Sequence, residues 1–137
     1  MIIADTGFWL ALASRKDRYH KRCKKVLDGL EERLITTWPV IMETCHLLTH
    51  RIGSDSALRF IDSGAKGAFE VHALTPAHLP RMHALMQRYR DLPMDFADAS
   101  LVLLAEELGS GRILSTDQRD FGTYRFKNHK PFENLLG

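Results

Sequence analysis

The sequence predicts an α/β fold in which helices cover both faces of a parallel sheet of four to five strands, a three-layer helix–sheet–helix sandwich. Short β-branched or apolar runs alternate with longer stretches that carry apolar residues at helical spacing. Strands that alternate with helices pair in parallel, because each helical crossover returns the chain to the same edge of the sheet. The 137 residues show no repeat, linker or low-complexity segment, so we expect one domain over residues 1–137.

The first half of the chain predicts two strands and four helices. Proline suits the first position of a helix and glycine suits its end, so Pro39, Gly53 and Gly67 mark helix boundaries. In chain order we predict a strand at 2–5, helices at 7–14 and 20–32, a strand at 34–37, and helices at 39–52 and 54–66.

The second half predicts two helices, two further strands and a short edge strand. The pair Thr75-Pro76 opens the first helix, Pro93 separates the two helices, and Gly109 and Gly111 end the second. In order we predict a strand at 69–74, helices at 75–89 and 95–108, a strand at 112–116, and a short edge strand at 130–134.

Composition narrows the function classes. Apolar residues make up 45% and charged residues 26% of the chain, the balance of an ordinary globular protein. No apolar run approaches the roughly 20 residues that span a bilayer, so we expect no membrane segment. The first five residues have no basic region and include an acid, which is unlike a signal peptide. We therefore expect a cytoplasmic protein with Cys23 and Cys45 reduced.

Four carboxylates occupy positions where an apolar residue would be expected. Asp5 and Asp117 end predicted strands, while Glu43 and Asp98 lie on the apolar stripes of predicted helices. A buried carboxylate without a partner is costly. Any one of them could be a helix-capping acid, but in parallel sheets ligands bind beyond the carboxyl ends of the strands. The four are therefore predicted to meet there and to serve as catalytic and metal-binding residues.

Ligands that are all oxygen atoms favour Mg²⁺ or Mn²⁺ over zinc. Such ions activate water for attack on a phosphodiester, so hydrolysis of a nucleic-acid backbone is the predicted reaction. Asp95 could contact the metal through water or could cap its helix. Asp120 could orient the loop after Asp117 or cap a short helix, and Thr6 and Thr116 could support the strand-end acids with their hydroxyls.

A cluster of basic residues follows the first predicted helix. A polyanionic substrate would be repelled by the acids unless cations held it, so we predict nucleic-acid binding by this segment, with a solvated helix face as the alternative. The residues predicted to bind nucleic acid are Arg15, Lys16, Lys21, Arg22, Lys24, Lys25 and, near the last acid, Arg119.

Over nearly its whole length the chain resembles the PIN-domain family, and within it the small VapC-like ribonuclease toxins. The resemblance depends on the order and spacing of four pieces, which are residues 3–9 (IADTGFW), Glu43, residues 97–99 (ADA) and residues 115–121 (STDQRDF). It implies that Asp5, Glu43, Asp98 and Asp117 are the metal-binding acids.

The resemblance further implies Mg²⁺- or Mn²⁺-dependent cleavage of single-stranded or looped RNA by a homodimer that a cognate antitoxin inhibits. One departure is Asp95, because many members lack an acid there. We favour Asp98 as the ligand of this pair, since it heads the buried stripe.

Other interpretations fit less of the sequence. Asp5-Thr6-Gly7 also occurs in retroviral-type aspartic proteases, but those are all-β proteins. A phosphoaspartate receiver domain would need an acceptor aspartate after the third strand, where this chain has Leu74-Thr75-Pro76. His46 and His50 are spaced like the zinc ligands of metalloproteases, but the segment between them lacks the glutamate of that pattern. A catalytically degenerate RNA-binding PIN module is the remaining alternative.

Overall fold

The computed structural model describes all residues from 1 to 137. Its strands are β1 (Ile2–Ala4), β2 (Leu34–Thr37), β3 (Glu70–His72), β4 (Arg112–Leu114), β5 (Arg125–Phe126), β6 (Lys130–Pro131) and β7 (Glu133–Asn134). Five of them form a parallel sheet in the order β3-β2-β1-β4-β7, and β5 and β6 form a separate antiparallel hairpin. The predicted parallel α/β sandwich is confirmed.

The helices are α1 (Thr6–Ala13), α2 (His20–Gly29), α3 (Trp38–Arg51), α4 (Ser54–Ala65), α5 (Leu79–Arg88), α6 (Phe96–Leu108) and α7 (Gln118–Thr123), with a 3₁₀ turn at Pro76–His78. The chain moves outward from β1 to β3 and then returns to β4 on the other side of β1. Because such crossovers are right-handed, the two directions place α1 to α4 on one face and α5 and α6 on the other. No helix is both long and apolar enough to cross a membrane.

Several predicted boundaries were wrong. Helix α2 ends at Gly29 rather than at 32, β3 covers only three of the six predicted residues, and the helix expected at 75–89 begins as a 3₁₀ turn. The edge strand expected at 130–134 is split between two sheets, because the hairpin turn at Lys127 and Asn128, with φ of 50° and 64°, directs β6 back along β5 before the chain joins β4.

Strands β1 and β4 both end earlier than predicted, so the acids that follow them lie outside the strands. β1 ends at Ala4 and β4 ends at Leu114, so Asp5 and Asp117 cap the helices that follow. Ala4 pairs with Leu114, and the Asp5 N–H continues the ladder by donating to the Leu114 carbonyl at 3.2 Å. The reversal of strand order falls between β1 and β4, so their carboxyl ends form the crevice in which such sheets bind ligands.

The core explains why this crevice is rigid. All three residues of β1 are inaccessible to solvent, as are Ile113 and Leu114 of β4. Helix α6 is buried along most of its length, from Ala97 to Ala105, although Asp98 within that stretch stays partly exposed. The first turn of α6 is therefore held firmly against the sheet at the carboxyl edge.

Candidate active site at the carboxyl edge of the sheet

A cavity of about 370 Å³ opens at the carboxyl edge of the sheet, and we call it the carboxylate cavity. It brings together all four acids predicted to be catalytic and both acids predicted to support them. Its polar lining consists of Asp5, Thr6, Glu43, Asp95, Asp98, Thr116, Asp117, Arg119 and Asp120. Arg119 is the one cationic side chain among these lining residues.

Asp5 is the most deeply buried of the four acids, with 7% of its surface exposed. Its Oδ1 accepts a hydrogen bond from the Phe8 N–H at 3.1 Å and caps α1, while its Oδ2 accepts one from the Ser115 hydroxyl. Burial raises the pKa of Asp5 to about 6 in spite of these donors, and the charges of Asp117 and Glu43 raise it further. The fold fixes this carboxylate in place without supplying a cation for it.

Glu43 projects from α3 toward the first turn of α1. The Thr6 hydroxyl donates to Glu43 Oε1 at 2.6 Å. Glu43 is therefore held by the residue that follows Asp5, whose own carboxylate caps α1. Burial raises the pKa of Glu43, and the neighbouring charge of Asp95 adds to that effect. Thr6 was predicted to support a strand-end acid, but its hydroxyl bonds instead to Glu43 on α3.

Asp98 and Asp95 occupy the first turn of α6 in different ways. Asp95 is exposed and caps the helix, because its Oδ1 accepts from the Asp98 N–H at 2.8 Å. Asp98 is partly buried, and its Oδ2 accepts a hydrogen bond from the Tyr124 hydroxyl at 3.1 Å. Burial, followed by the charge of Asp95, raises the pKa of Asp98 to about 7. Asp95 therefore has the structural role of capping α6, and Asp98 is the more buried carboxylate of the two.

Asp117 lies at the exposed rim of the cavity. Its Oδ1 accepts from the Asp120 N–H at 3.1 Å and caps α7, and its own N–H donates to the Ser115 hydroxyl at 3.0 Å. Partial burial raises the pKa of Asp117, and the adjacent Asp120 contributes. Asp120 is buried and accepts from Arg119 Nε at 3.0 Å, so it holds the one lining cation.

Gly7 keeps the two strand ends close together. A Cβ atom at this position would lie 2.0 Å from Thr116 Oγ1, so any larger residue would push Thr116 away from α1. Thr116 makes no side-chain hydrogen bond to the acids, and its contribution is therefore packing against Gly7 rather than support of a carboxylate.

The basic residues from Arg15 to Lys25 lie elsewhere. None of them lines the carboxylate cavity, and of the residues predicted to bind nucleic acid only Arg119 does. His46 and His50 make an edge contact on the exposed side of α3, with ring centroids 4.3 Å apart. No three acidic, histidine or cysteine side chains are close enough together to hold one cation directly between them.

Sequence reasoning missed two side chains that contact the acids. Ser115 and Tyr124 are both inaccessible to solvent, and each donates a hydroxyl hydrogen bond to one of the four acids. Ser115 could have been found, because a polar residue at the end of an apolar strand is as unexpected as an acid there. Tyr124 gave no signal, since a tyrosine among apolar residues is typical of a core position.

The alternatives considered from the sequence do not fit this geometry. A parallel sheet is incompatible with the all-β aspartic protease fold, and β3 ends at His72 with no acid to accept phosphate as in a receiver domain.

Comparison with known proteins gives consistent results. The sequence model of the PIN-domain family matches residues 2–127 of this chain. Ribonuclease VapC26 of Mycobacterium tuberculosis is 27% identical over 124 residues, which are 90% of this chain and 92% of that protein. The crystal structure of VapC20 of the same organism, a toxin that cleaves the sarcin–ricin loop, superposes with a TM-score of 0.80 at 22% identity. The superposition covers 87% of this chain and 92% of VapC20, and it shows a shared fold.

Proposed function

The chain belongs to the PIN-domain family, and on this basis we propose that it is a metal-dependent endoribonuclease, the toxin of a type II toxin–antitoxin pair. The observation that carries the proposal is a cavity lined by six acids and one cation, in which the pKa values of four acids are raised. The likeness to ribonuclease VapC26 and to the toxin VapC20 supports the same substrate class.

The donor set suits a hard divalent cation. Asp5, Glu43, Asp98 and Asp117 offer only oxygen atoms, and their pKa values are raised by burial although Arg119 lowers that of Asp117 in part. Mg²⁺ keeps several of its waters and is bound through one or two carboxylates, so a site without three converging acids fits Mg²⁺ or Mn²⁺ better than zinc. Asp5 and Asp98 would hold the ion, with Asp117 and Glu43 around it. When bound, such an ion lowers the pKa of water and stabilises a leaving phosphodiester oxygen.

The remaining lining residues prepare the cavity for a phosphodiester. Ser115 and the Phe8 N–H fix the Asp5 carboxylate, and Thr6 fixes Glu43, so these acids need not reorganise during the reaction. Asp120 holds Arg119 through Nε alone, which leaves both terminal guanidinium nitrogens without a partner in the chain. We assign them to an oxygen of the bound phosphate, which Arg contacts in a fixed fork geometry.

We further propose that RNA extends from this cavity onto the basic surface, defined as Arg15, Lys16, Lys21, Arg22, Lys24 and Lys25. All six side chains are exposed and none forms an ion pair within the chain. Lys21 and Lys25 line both of two open depressions, of about 560 and 830 Å³. Unpaired exposed cations repel one another, and a phosphate backbone would relieve that repulsion.

The proposed partners are RNA, a cognate antitoxin and a second copy of the chain, acting in the cytoplasm. Met42 and Phe96 are 71% and 43% exposed in a depression beside the carboxylate cavity, and Trp38 on the same helix as Met42 is 59% exposed. A group of large exposed apolar side chains is typical of an interaction surface. We assign this surface to the homodimer. Light scattering of the parent should give the mass of a dimer, and Met42→Glu should give a monomer.

The test of the proposed function is cleavage of mixed RNA by the purified protein. RNA should be cut in Mg²⁺ or Mn²⁺ and spared in EDTA, with 5′-phosphate and 3′-hydroxyl ends if water attacks the phosphorus and the 3′ oxygen leaves. Activity should return when metal is added in excess over the chelator. Cleavage that persists undiminished in EDTA would refute metal dependence, and RNA binding without cleavage under any metal would favour the degenerate binding module.

A further inference from the structure

Tyr124 connects the C-terminal part of the chain to the carboxylate cavity. It follows α7 directly, is inaccessible to solvent, and donates its hydroxyl hydrogen bond to Asp98 Oδ2 at 3.1 Å. Asp98 lines the carboxylate cavity, and the Tyr124 hydroxyl is the one side-chain donor to its carboxylate.

The tyrosine ring has little freedom to move. It makes edge contacts with Phe121 at a centroid distance of 5.1 Å and with Tyr89 at 5.0 Å. The Tyr89 hydroxyl accepts from the Arg125 N–H at 3.0 Å, which fixes the backbone immediately after Tyr124. The position of the hydroxyl is therefore set by packing before any ligand binds.

Helix α7 links two of the acids through this hydrogen bond. Asp117 caps its first turn, and Tyr124 at its other end reaches Asp98 on α6. Six helical residues thereby hold an acid from the end of β4 and an acid from α6 in a fixed relation, although the two lie on different elements.

We infer that Tyr124 is a positioning residue that holds the Asp98 carboxylate in the orientation needed to bind the divalent cation. The inference rests on the proposed function, because orientation of Asp98 matters only if Asp98 meets the metal. Carboxylates that bind metals are themselves held by hydrogen bonds, and loss of such a partner lowers metal affinity roughly 10- to 100-fold.

The experiment compares Tyr124→Phe with Tyr89→Phe, measuring Mn²⁺ affinity by calorimetry, metal-free melting temperature and RNA cleavage. Both variants remove one hydroxyl from the same aromatic cluster, but only the first removes a hydrogen bond to Asp98. Tyr124→Phe should bind Mn²⁺ about tenfold more weakly, and excess Mn²⁺ should restore its cleavage. Tyr89→Phe keeps the hydrogen bond from Tyr124 to Asp98 and the contact of Tyr124 with Phe121, so its Mn²⁺ affinity should fall much less than that of Tyr124→Phe.

Unchanged Mn²⁺ affinity in Tyr124→Phe, an equal loss in both variants, or cleavage that excess Mn²⁺ does not restore would each overturn the inference. If the parent itself neither binds Mn²⁺ nor cuts RNA, the proposed function fails and this inference fails with it. If the parent does both and Tyr124→Phe matches it throughout, the positioning role alone is refuted.

Discussion

Glu106 and Asp98 lie two turns apart on the same helix, yet the structure treats their charges in opposite ways. Glu106 accepts from Arg81 Nε at 2.9 Å, from Arg81 Nη2 at 2.7 Å and from the Lys127 N–H at 2.6 Å. Burial alone would raise the pKa of Glu106, but these donors outweigh it and hold the pKa below its ordinary value. Asp98 has one hydroxyl donor and no cation, and its pKa rises to about 7.

The contrast separates an acid that stabilises the fold from one that is kept for a ligand. Glu106 has its full complement of partners, and it ties α5 and the hairpin turn to α6. Asp98, Asp5 and Glu43 are instead held in place by hydroxyl groups, which fix geometry without neutralising charge. Asp5 also caps α1, but burial raises the pKa values of all three acids, which is the arrangement expected if they bind the cation of the proposed function.

RNA cleavage should show the largest difference between the two acids. Asp98→Asn removes a charge at nearly constant shape, and we expect cleavage in Mn²⁺ to fall by about 100-fold or more, beyond the loss expected of a residue that only supports a ligand. Glu106→Gln should cleave at nearly the parent rate, because Glu106 does not line the carboxylate cavity. Equal activity losses in the two variants would erase the distinction.

The basic surface provides a second contrast, because its cations form no ion pair within the chain whereas Arg81 is paired with Glu106. Neutralising Lys21, Arg22, Lys24 and Lys25 together should weaken RNA binding and reduce the log–log salt slope by about one unit for each phosphate that these cations no longer neutralise. The matched control neutralises four other exposed cations, Arg33, Arg51, Lys66 and Arg90. A salt slope that stays the same in the first variant would show that the basic surface is only a solvated face.

Metal-free stability should change in opposite directions. Glu106→Gln breaks a two-pronged ion pair and leaves Arg81 without its charge partner, which should cost about 2 kcal/mol of unfolding free energy. Asp98→Asn removes repulsion and should be neutral or stabilising by about 1 kcal/mol. Chemical denaturation in EDTA measures both. A loss of several kcal/mol in Asp98→Asn would identify Asp98 as a structural acid and would transfer the proposed metal contact to Asp95.

The smallest expected effect is the pH dependence of these stability differences. The pKa of Asp98 rises from 3.8 to about 7 on folding, so its ionisation penalty is absent below pH 4 and grows as pH increases to 7. The advantage of Asp98→Asn should therefore be smallest near pH 4 and should grow as the pH rises through 7. Glu106 has a lowered pKa, so its contribution is present above its unfolded pKa and is lost as pH falls. A pH-independent difference for Asp98→Asn would contradict the raised pKa.

The parts of the site that were predictable from sequence depend on local pattern. Asp5 follows an apolar run, and Glu43 and Asp98 interrupt helical stripes, so their shared cavity could be inferred from strand order and periodicity. Strand β2 was predicted at its observed bounds because a run of apolar and β-branched residues, Leu34–Thr37, is followed closely by a proline that begins a helix.

The remainder depends on contacts that no local pattern encodes. Ser115 and Asp5 are 110 residues apart, and only the pairing of β4 with β1 brings them together. Helix α7 has six residues, too few for periodicity to register. Strand β7, Glu133–Asn134, falls within the edge strand predicted at 130–134, but its separation from β6 depends on the hairpin that directs the chain to β4.

Mn²⁺-induced stabilisation of the parent, Glu106→Gln and Asp98→Asn tests the central claim most directly, because it asks which acid is kept for a cation. If the carboxylate cavity binds the ion, saturating Mn²⁺ should raise the melting temperature of the parent and of Glu106→Gln by similar amounts, since stabilisation follows affinity. The rise should be largely lost in Asp98→Asn. Equal Mn²⁺-induced shifts in all three proteins, or no shift in the parent, would contradict a metal site at these acids.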